Sequence, residues 1–111
     1  GDKVVVPPNR GLVLINPANE TLVTANWVAD GFSPLPEPFA QLGGAVYYEV
    51  RVQGVSTFIA NPNYDYIPQL QRRLARQYRD LGLVKGVTLY EAFINNPRHF
   101  SYLTDPSLCP A

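Results

Sequence analysis

The chain has 111 residues, of which 46% are hydrophobic and 16% are charged. This apolar content excludes an intrinsically disordered tail, because burying it offsets the entropy that folding costs. Nine Lys and Arg residues balance nine Asp and Glu residues, which argues against a dedicated binder of nucleic acid or of anionic membranes. No apolar run approaches the roughly 20 residues of a membrane-spanning helix. We therefore expect a single folded domain over residues 1–111, without a membrane span.

The first half of the chain is predicted to form β-structure. Short runs rich in apolar and β-branched residues at 3–6, 12–15 and 21–28 predict three strands. Residues 1–10, which contain two adjacent prolines, are expected to form an N-terminal arm.

A hairpin between Ala45 and Ala60 is the clearest local signal. Val46, Tyr48, Val50 and Val52 alternate with Tyr47, Glu49 and Arg51. A two-residue turn is predicted to follow at Gln53-Gly54. This register pairs Val52 with Val55, Val50 with Thr57 and Tyr48 with Ile59. All six side chains then share one face, and the alternation is typical of a half-buried strand.

A long loop separates these β segments. Residues 29–44 contain Pro34, Pro36 and Pro38 at alternate positions, a pattern that predicts a stiff, extended Pro-rich loop. Loops of this length in compact domains are usually functional or mobile.

The second half of the chain changes to a helical period. Leu70, Leu74, Tyr78 and Leu81 predict a helix that begins near Asp65 and ends at Gly82. The capping box Thr88-Leu89-Tyr90-Glu91 predicts a second helix, although the alternation from Val87 to Ile94 would also suit a strand. A third helical turn is predicted to start at Pro97, and the tail 104–111 is expected to be irregular.

Together these elements predict an α+β fold. About five mainly antiparallel strands over residues 3–60 would be followed by two or three helices over residues 65–103, which pack on one face of the sheet. A small sandwich or barrel with a terminal helix is the alternative architecture.

Catalytic and metal-binding patterns are weak. His99 is the one histidine and Cys109 the one cysteine, and their arrangement matches no Cys/His signature. Asp105 could join them, but the three lack the spacing of a metal site. Gly43-Gly44 precedes a strand and does not open a helix, unlike a phosphate-binding loop. We therefore predict that the chain is not an enzyme and holds no metal or cofactor.

Arginine residues are concentrated in the first predicted helix. Arg72, Arg76 and Arg79 would share one helical face, with Arg73 beside them. Such a face could bind carboxylates or phosphates through paired N–H donors. A solvated outer face explains the same pattern, so both interpretations stay open.

Several aromatic side chains do not fit the predicted core. Tyrosine and phenylalanine are typical of protein interfaces, where they supply a large contact area at a small entropic cost. Including the arginines, we predict ten partner-binding residues: Phe32, Leu35, Phe39, Tyr47, Tyr64, Tyr66, Arg72, Arg73, Arg76 and Arg79.

These features predict a non-catalytic structural or interaction module that docks into a larger assembly, by self-association or with a protein partner. A virion, a phage particle or an envelope-associated complex would suit such a module. The alternative is a ligand-binding module that recognises an acidic peptide or, secondarily, nucleic acid through the Arg72–Arg79 helix face.

Overall fold

The computed structural model describes residues 1–110, which divide into two compact units. Unit 1 comprises Gly1–Leu12, Val23–Phe32 and the residues from Arg72 onward, and unit 2 comprises Val13–Leu22 and Ser33–Gln71. The regular elements are helix α1 (Glu37–Leu42), strand β1 (Tyr47–Val52), strand β2 (Val55–Ala60) and helix α2 (Leu89–Asn95), with 3₁₀ helices at Arg79–Leu81, Pro97–Leu103 and Pro106–Leu108.

The hairpin of unit 2 confirms the predicted register. β1 and β2 are antiparallel, with Val52 opposite Val55 and Tyr48 opposite Ile59. Gln53 and Gly54 have φ angles of 51° and 78°, and positive φ at both central residues is what a two-residue type I′ turn requires. Turns of this type match the right-handed twist of paired strands, and Gln53 adopts the required conformation although glutamine is not the favoured residue there.

The prediction of five strands is wrong. In the part of the chain that the structure describes, the sheet consists of β1 and β2 alone. The segments 3–6, 12–15 and 21–28 are irregular, although their residues suit strands. Strand propensity describes how well a side chain fits a paired, half-buried surface, and these segments have no neighbouring strand to supply that surface.

The predicted helix over residues 65–81 is also wrong. Residues 65–77 contain no helix, and only Arg79–Leu81 forms a short 3₁₀ turn. Helices in proteins are stabilised mainly by packing of their apolar face, yet Leu74 is 97% exposed. Tyr78 and Leu83 instead exchange backbone hydrogen bonds of 2.9 and 3.1 Å around a tight turn, in which Gly82 has a φ of 68°.

The second and third predicted helices are confirmed. Thr88 is the N-cap of α2, and its Oγ1 accepts a 3.0 Å hydrogen bond from the Glu91 backbone N–H, which excludes the alternative of a strand here. The next helix begins at Pro97 as predicted and has 3₁₀ geometry. These helices pack around a core of Leu83, Ala92 and Phe100 within unit 1, rather than on a five-stranded sheet.

Helix α1 lies within the predicted Pro-rich loop. Its N-cap is Pro36, and proline is tolerated in a first turn because the N–H groups there have no partner in the helix. Gly43 ends it with a left-handed φ of 72°.

No helix among residues 1–110 could cross a membrane. The longest, at Leu89–Asn95 and Pro97–Leu103, have seven residues each, whereas a bilayer requires about 20.

Candidate functional site

The two faces of the hairpin differ in chemistry. Side chains alternate along each strand, so that every second residue shares a face. We define the apolar hairpin face by six residues that the register places together: Tyr48, Val50, Val52, Val55, Thr57 and Ile59. None of the six carries a charge. The opposite face carries Glu49, Arg51, Ser56 and Phe58.

The covered face of the hairpin is the polar one. The Ser56 hydroxyl donates to Glu49 Oε1, and Arg51 Nη2 donates to the Pro17 carbonyl oxygen. A cavity of about 270 Å³ lies between residues 15–19 and this face. The loop therefore covers part of the charged side of the sheet, where Glu49 and Ser56 are half buried and Arg51 stays exposed.

The apolar hairpin face is left exposed. Val52, Val55 and Ile59 are 52%, 64% and 49% exposed. Complete burial of one aliphatic side chain of this size contributes about 1.5–3 kcal/mol. Because these side chains are about half exposed, covering this face with another surface would add about 1 kcal/mol of hydrophobic free energy per residue.

The ten predicted partner-binding residues are divided equally between the two units. Unit 1 contains Phe32, Arg72, Arg73, Arg76 and Arg79, and unit 2 contains Leu35, Phe39, Tyr47, Tyr64 and Tyr66.

Three of the predicted aromatic contacts have structural roles inside unit 2. The Tyr47 hydroxyl donates to the Pro68 carbonyl oxygen at 2.6 Å, and the Tyr64 hydroxyl donates to the Gly44 carbonyl oxygen at 2.8 Å. Phe39 is half buried on α1. The other three apolar or aromatic members, Phe32, Leu35 and Tyr66, are exposed and could contact a partner.

The arginine segment is exposed, but it is not a helical face. Because residues 72–77 are irregular, the spacing of Arg72, Arg76 and Arg79 does not align them as predicted. The Arg76 guanidinium lies 4.4 Å from the centre of the Tyr78 ring, a cation–π contact that fixes its position.

His99 and Cys109 have different partners. The His99 Nε2 lies 3.0 Å from the Asn96 side-chain nitrogen. Cys109 instead influences the pKa of the Tyr102 hydroxyl group through its charge. Burial raises the pKa of Tyr102, and the nearby Cys109 and Tyr78 raise it further. Among residues 1–110, no three His, Cys, Asp or Glu side chains are arranged to hold a metal ion.

Sequence analysis missed a cationic cavity in unit 1. Lys3, Arg76 and Lys85 line a volume of about 260 Å³ together with Asp2. The two lysines are far apart in the sequence, so no local motif could have indicated that they meet.

Comparison with known proteins gives one match. A protein-family model described as glucose-6-phosphate isomerase matches residues 1–69, a segment that includes the whole hairpin. No curated protein and no solved structure matches the chain. The matched family is one of enzymes, so the prediction of a non-enzyme stays a prediction. Because the match covers more than half of its residues, the chain belongs to the glucose-6-phosphate isomerase family.

Proposed function

We propose that this chain is an interaction module that assembles through its apolar hairpin face. The observation that carries the proposal is the exposure of Val52, Val55 and Ile59 on a sheet whose polar face is already partly covered by residues 15–19. Contiguous exposed apolar surface is a mark of interaction sites in folded proteins.

The partner that fits this surface best is a second copy of the chain. Two sheets stack face to face at about 10 Å when both inner faces are apolar. Because the six residues are uncharged and the chain has no net charge, stacking two identical faces opposes no like charges. Standard interfaces use about 20–30 residues per side. A six-residue face therefore predicts weak, concentration-dependent association.

A cysteine placed on the face tests the proposal directly. In a Cys109→Ser background, Thr57→Cys should form a disulfide-linked dimer under mild oxidation, because Thr57 is exposed and lies in the central cross-strand pair of the stacked surface. Val23→Cys is the matched control, since Val23 is an exposed valine of the other unit. Selective dimerisation of the Thr57→Cys protein supports the proposal. Equal crosslinking of both variants, or none, contradicts it.

A second candidate function follows from the family match. We infer that the chain could contribute to isomerisation of a sugar phosphate, a reaction in which a base moves a proton between neighbouring carbons. Glu49 is the carboxylate best placed for that role, because it is half buried and lines the cavity that Ser56 and Arg51 also line.

An isomerase assay separates the two candidates. The purified chain is incubated with glucose 6-phosphate, and formation of an isomeric sugar phosphate is followed by NMR. Turnover that Glu49→Gln abolishes and that Glu37→Gln leaves intact would favour the second candidate. Turnover absent from the unmodified chain, or unchanged in Glu49→Gln, would reject this role for Glu49.

A further inference from the structure

The outer edge of strand β1 carries backbone groups that the hairpin does not pair. In an antiparallel ladder, every second residue exchanges hydrogen bonds with the partner strand, and the residues between direct their N–H and C=O groups away from it. The Asn61 N–H donates to the Val46 carbonyl oxygen at 2.8 Å, so the residues of β1 that bond to β2 are those at even positions. Glu49 and Arg51 therefore direct their backbone groups outward, and no hydrogen bond to these groups forms among residues 1–110. These two residues define the β1 edge.

Such an edge is a template for a further strand. Native proteins rarely bury backbone groups without a partner, and Arg51 is exposed while Glu49 is half buried. Strand addition to an unpaired edge is a general mode of recognition, in which main-chain hydrogen bonds provide affinity and side chains provide specificity. The side chains along the β1 edge therefore indicate which strand it would accept.

The β1 edge carries two opposite charges, in the order Glu49, Val50, Arg51. The Ser56 hydroxyl donates to Glu49 Oε1, and Arg51 Nη2 donates to the Pro17 carbonyl oxygen. Both of these partners are neutral, and neither charged side chain forms an ion pair within the described residues 1–110. An antiparallel copy of the same strand presents its charges in the reverse order, so the β1 edge is complementary to itself.

We propose that the β1 edge pairs with the β1 edge of a second copy, in the antiparallel register that places Val50 opposite Val50. Glu49 then lies opposite Arg51 of the second copy, and Arg51 lies opposite its Glu49. Each of these opposed pairs can exchange both N–H···O bonds, because all of its backbone groups point outward. The neighbouring register that places Glu49 opposite Glu49 brings like charges together, which is destabilising.

Edge pairing rests on the proposed function in one respect, since both require a second copy as the partner. It joins two hairpins into one four-stranded sheet and places Tyr48 opposite Val52 of the second copy, which enlarges the apolar surface available for stacking. A few exposed backbone hydrogen bonds do not offset the freedom that two chains lose on association. We therefore expect edge pairing to add to stacking rather than to replace it.

Cysteines at the opposed positions test this register. In a Cys109→Ser background, equal amounts of a Glu49→Cys chain and an Arg51→Cys chain are mixed and mildly oxidised, and the covalent dimers are identified by intact mass. The mixed dimer should exceed both homodimers together, because its two cysteines are opposed and one Glu49–Arg51 pair remains. Each protein oxidised alone should give little dimer, since its cysteine faces an arginine or a glutamate of the second copy.

Glu37→Cys replaces Glu49→Cys in the matched control, because Glu37 is exposed in unit 2 but lies on α1. Its mixture with Arg51→Cys should show no preference for the mixed dimer. An equal preference in this control would overturn the proposal. So would a dimer formed chiefly by Glu49→Cys alone, which would mean that Glu49 lies opposite Glu49.

The Thr57→Cys crosslink separates this inference from the proposed function. If Thr57→Cys dimerises and the mixed dimer of the edge variants does not form, stacking stands and edge pairing is wrong. If neither disulfide forms, a second copy is not the partner at either surface, and both proposals are wrong.

Charge reversal tests the β1 edge without a disulfide. Glu49→Arg and Arg51→Glu each bring like charges together when alone, whereas an equal mixture restores both opposite pairs. The average mass in sedimentation velocity should therefore be greater for the mixture than for either variant at the same total concentration. Equal masses, with circular dichroism showing that both variants fold, would contradict pairing through this edge.

Discussion

The side-chain amide of Asn61 binds the carbonyl end of helix α1, with its Nδ2 2.9 Å from the Leu42 carbonyl oxygen. The same nitrogen donates to the Ala45 carbonyl oxygen at 3.0 Å, and Asn61 is fully buried. Its Oδ1 accepts from the Asn63 backbone N–H at 3.0 Å. Asn61 therefore joins the end of β2 to the chain that enters β1.

Replacing Asn61 should destabilise unit 2. Asn61→Ala leaves the Leu42 and Ala45 carbonyl oxygens without this donor in a buried position, and we expect a loss of about 2–4 kcal/mol. The measurement is the free energy of unfolding in urea. Asn63→Ala is the control, because it removes one exposed hydrogen bond to Leu42 and should cost less than about 1 kcal/mol. Equal losses for the two variants would contradict this role of Asn61.

The N-cap of α2 should contribute measurably to the stability of unit 1. Thr88→Ala removes the acceptor for the Glu91 N–H and should lower the free energy of unfolding by about 1 kcal/mol. Thr88→Ser keeps a hydroxyl and should restore most of the loss. The argument fails if the serine variant is as unstable as the alanine variant in thermal unfolding monitored by circular dichroism.

Trp27 should stabilise unit 1 through two separable contacts. Its Nε1 donates to the Leu89 carbonyl oxygen at 3.0 Å, and its ring centre lies 5.2 Å from that of Phe93. Trp27→Phe keeps the ring contact and should cost about 1 kcal/mol, whereas Trp27→Ala also removes the ring contact of this 39% exposed side chain and should cost about 2 kcal/mol. Urea unfolding followed by circular dichroism compares them. Identical losses would mean that the ring contact contributes nothing.

The free energy of unfolding should fall at alkaline pH as Tyr102 loses its proton. Burial and the neighbouring Cys109 raise the pKa of Tyr102 above its ordinary value of 10.0. Because this pKa is higher in the folded state than in the unfolded state, Tyr102 contributes to stability at pH values below 10. That contribution is lost as the pH rises through the pKa of the folded state. Tyr102→Phe should therefore flatten the loss of melting temperature between about pH 9 and 12. Tyr66→Phe, at an exposed tyrosine, should leave the slope as it is, and a flattening there would refute the assignment.

Local interactions decide which elements could be predicted from the sequence. The hairpin turn at Gln53-Gly54 and the Thr88 cap involve residues within a few positions of one another. Their sequence patterns were therefore sufficient to predict both elements. The stripe of Leu70 and Leu74 has the spacing of a helix, but such a stripe forms a helix only when another surface covers it. The segment 12–15 likewise has the composition of a strand, but it has no neighbouring strand with which to pair.

The candidate site depended on information that is not local. The alternation in β1 identifies the two hairpin faces, but not which one the loop 15–19 covers. Lys3 and Lys85 meet only through the fold of unit 1. Conversely, Tyr47 and Tyr64 appeared available for partners because their carbonyl acceptors, Pro68 and Gly44, are distant in sequence.

Sedimentation velocity across a concentration series tests the central claim most directly. From about 10 μM to 1 mM, the weak association expected of a small apolar interface should raise the average mass of the unmodified chain toward that of a dimer. Val55→Arg should remain monomeric throughout, because stacking would bury an unpaired charge. Val23→Arg, which adds the same charge at an exposed valine of unit 1, should associate like the unmodified chain. A mass that stays at 12.3 kDa for the unmodified chain, or equal disruption by both variants, would contradict assembly through the apolar hairpin face.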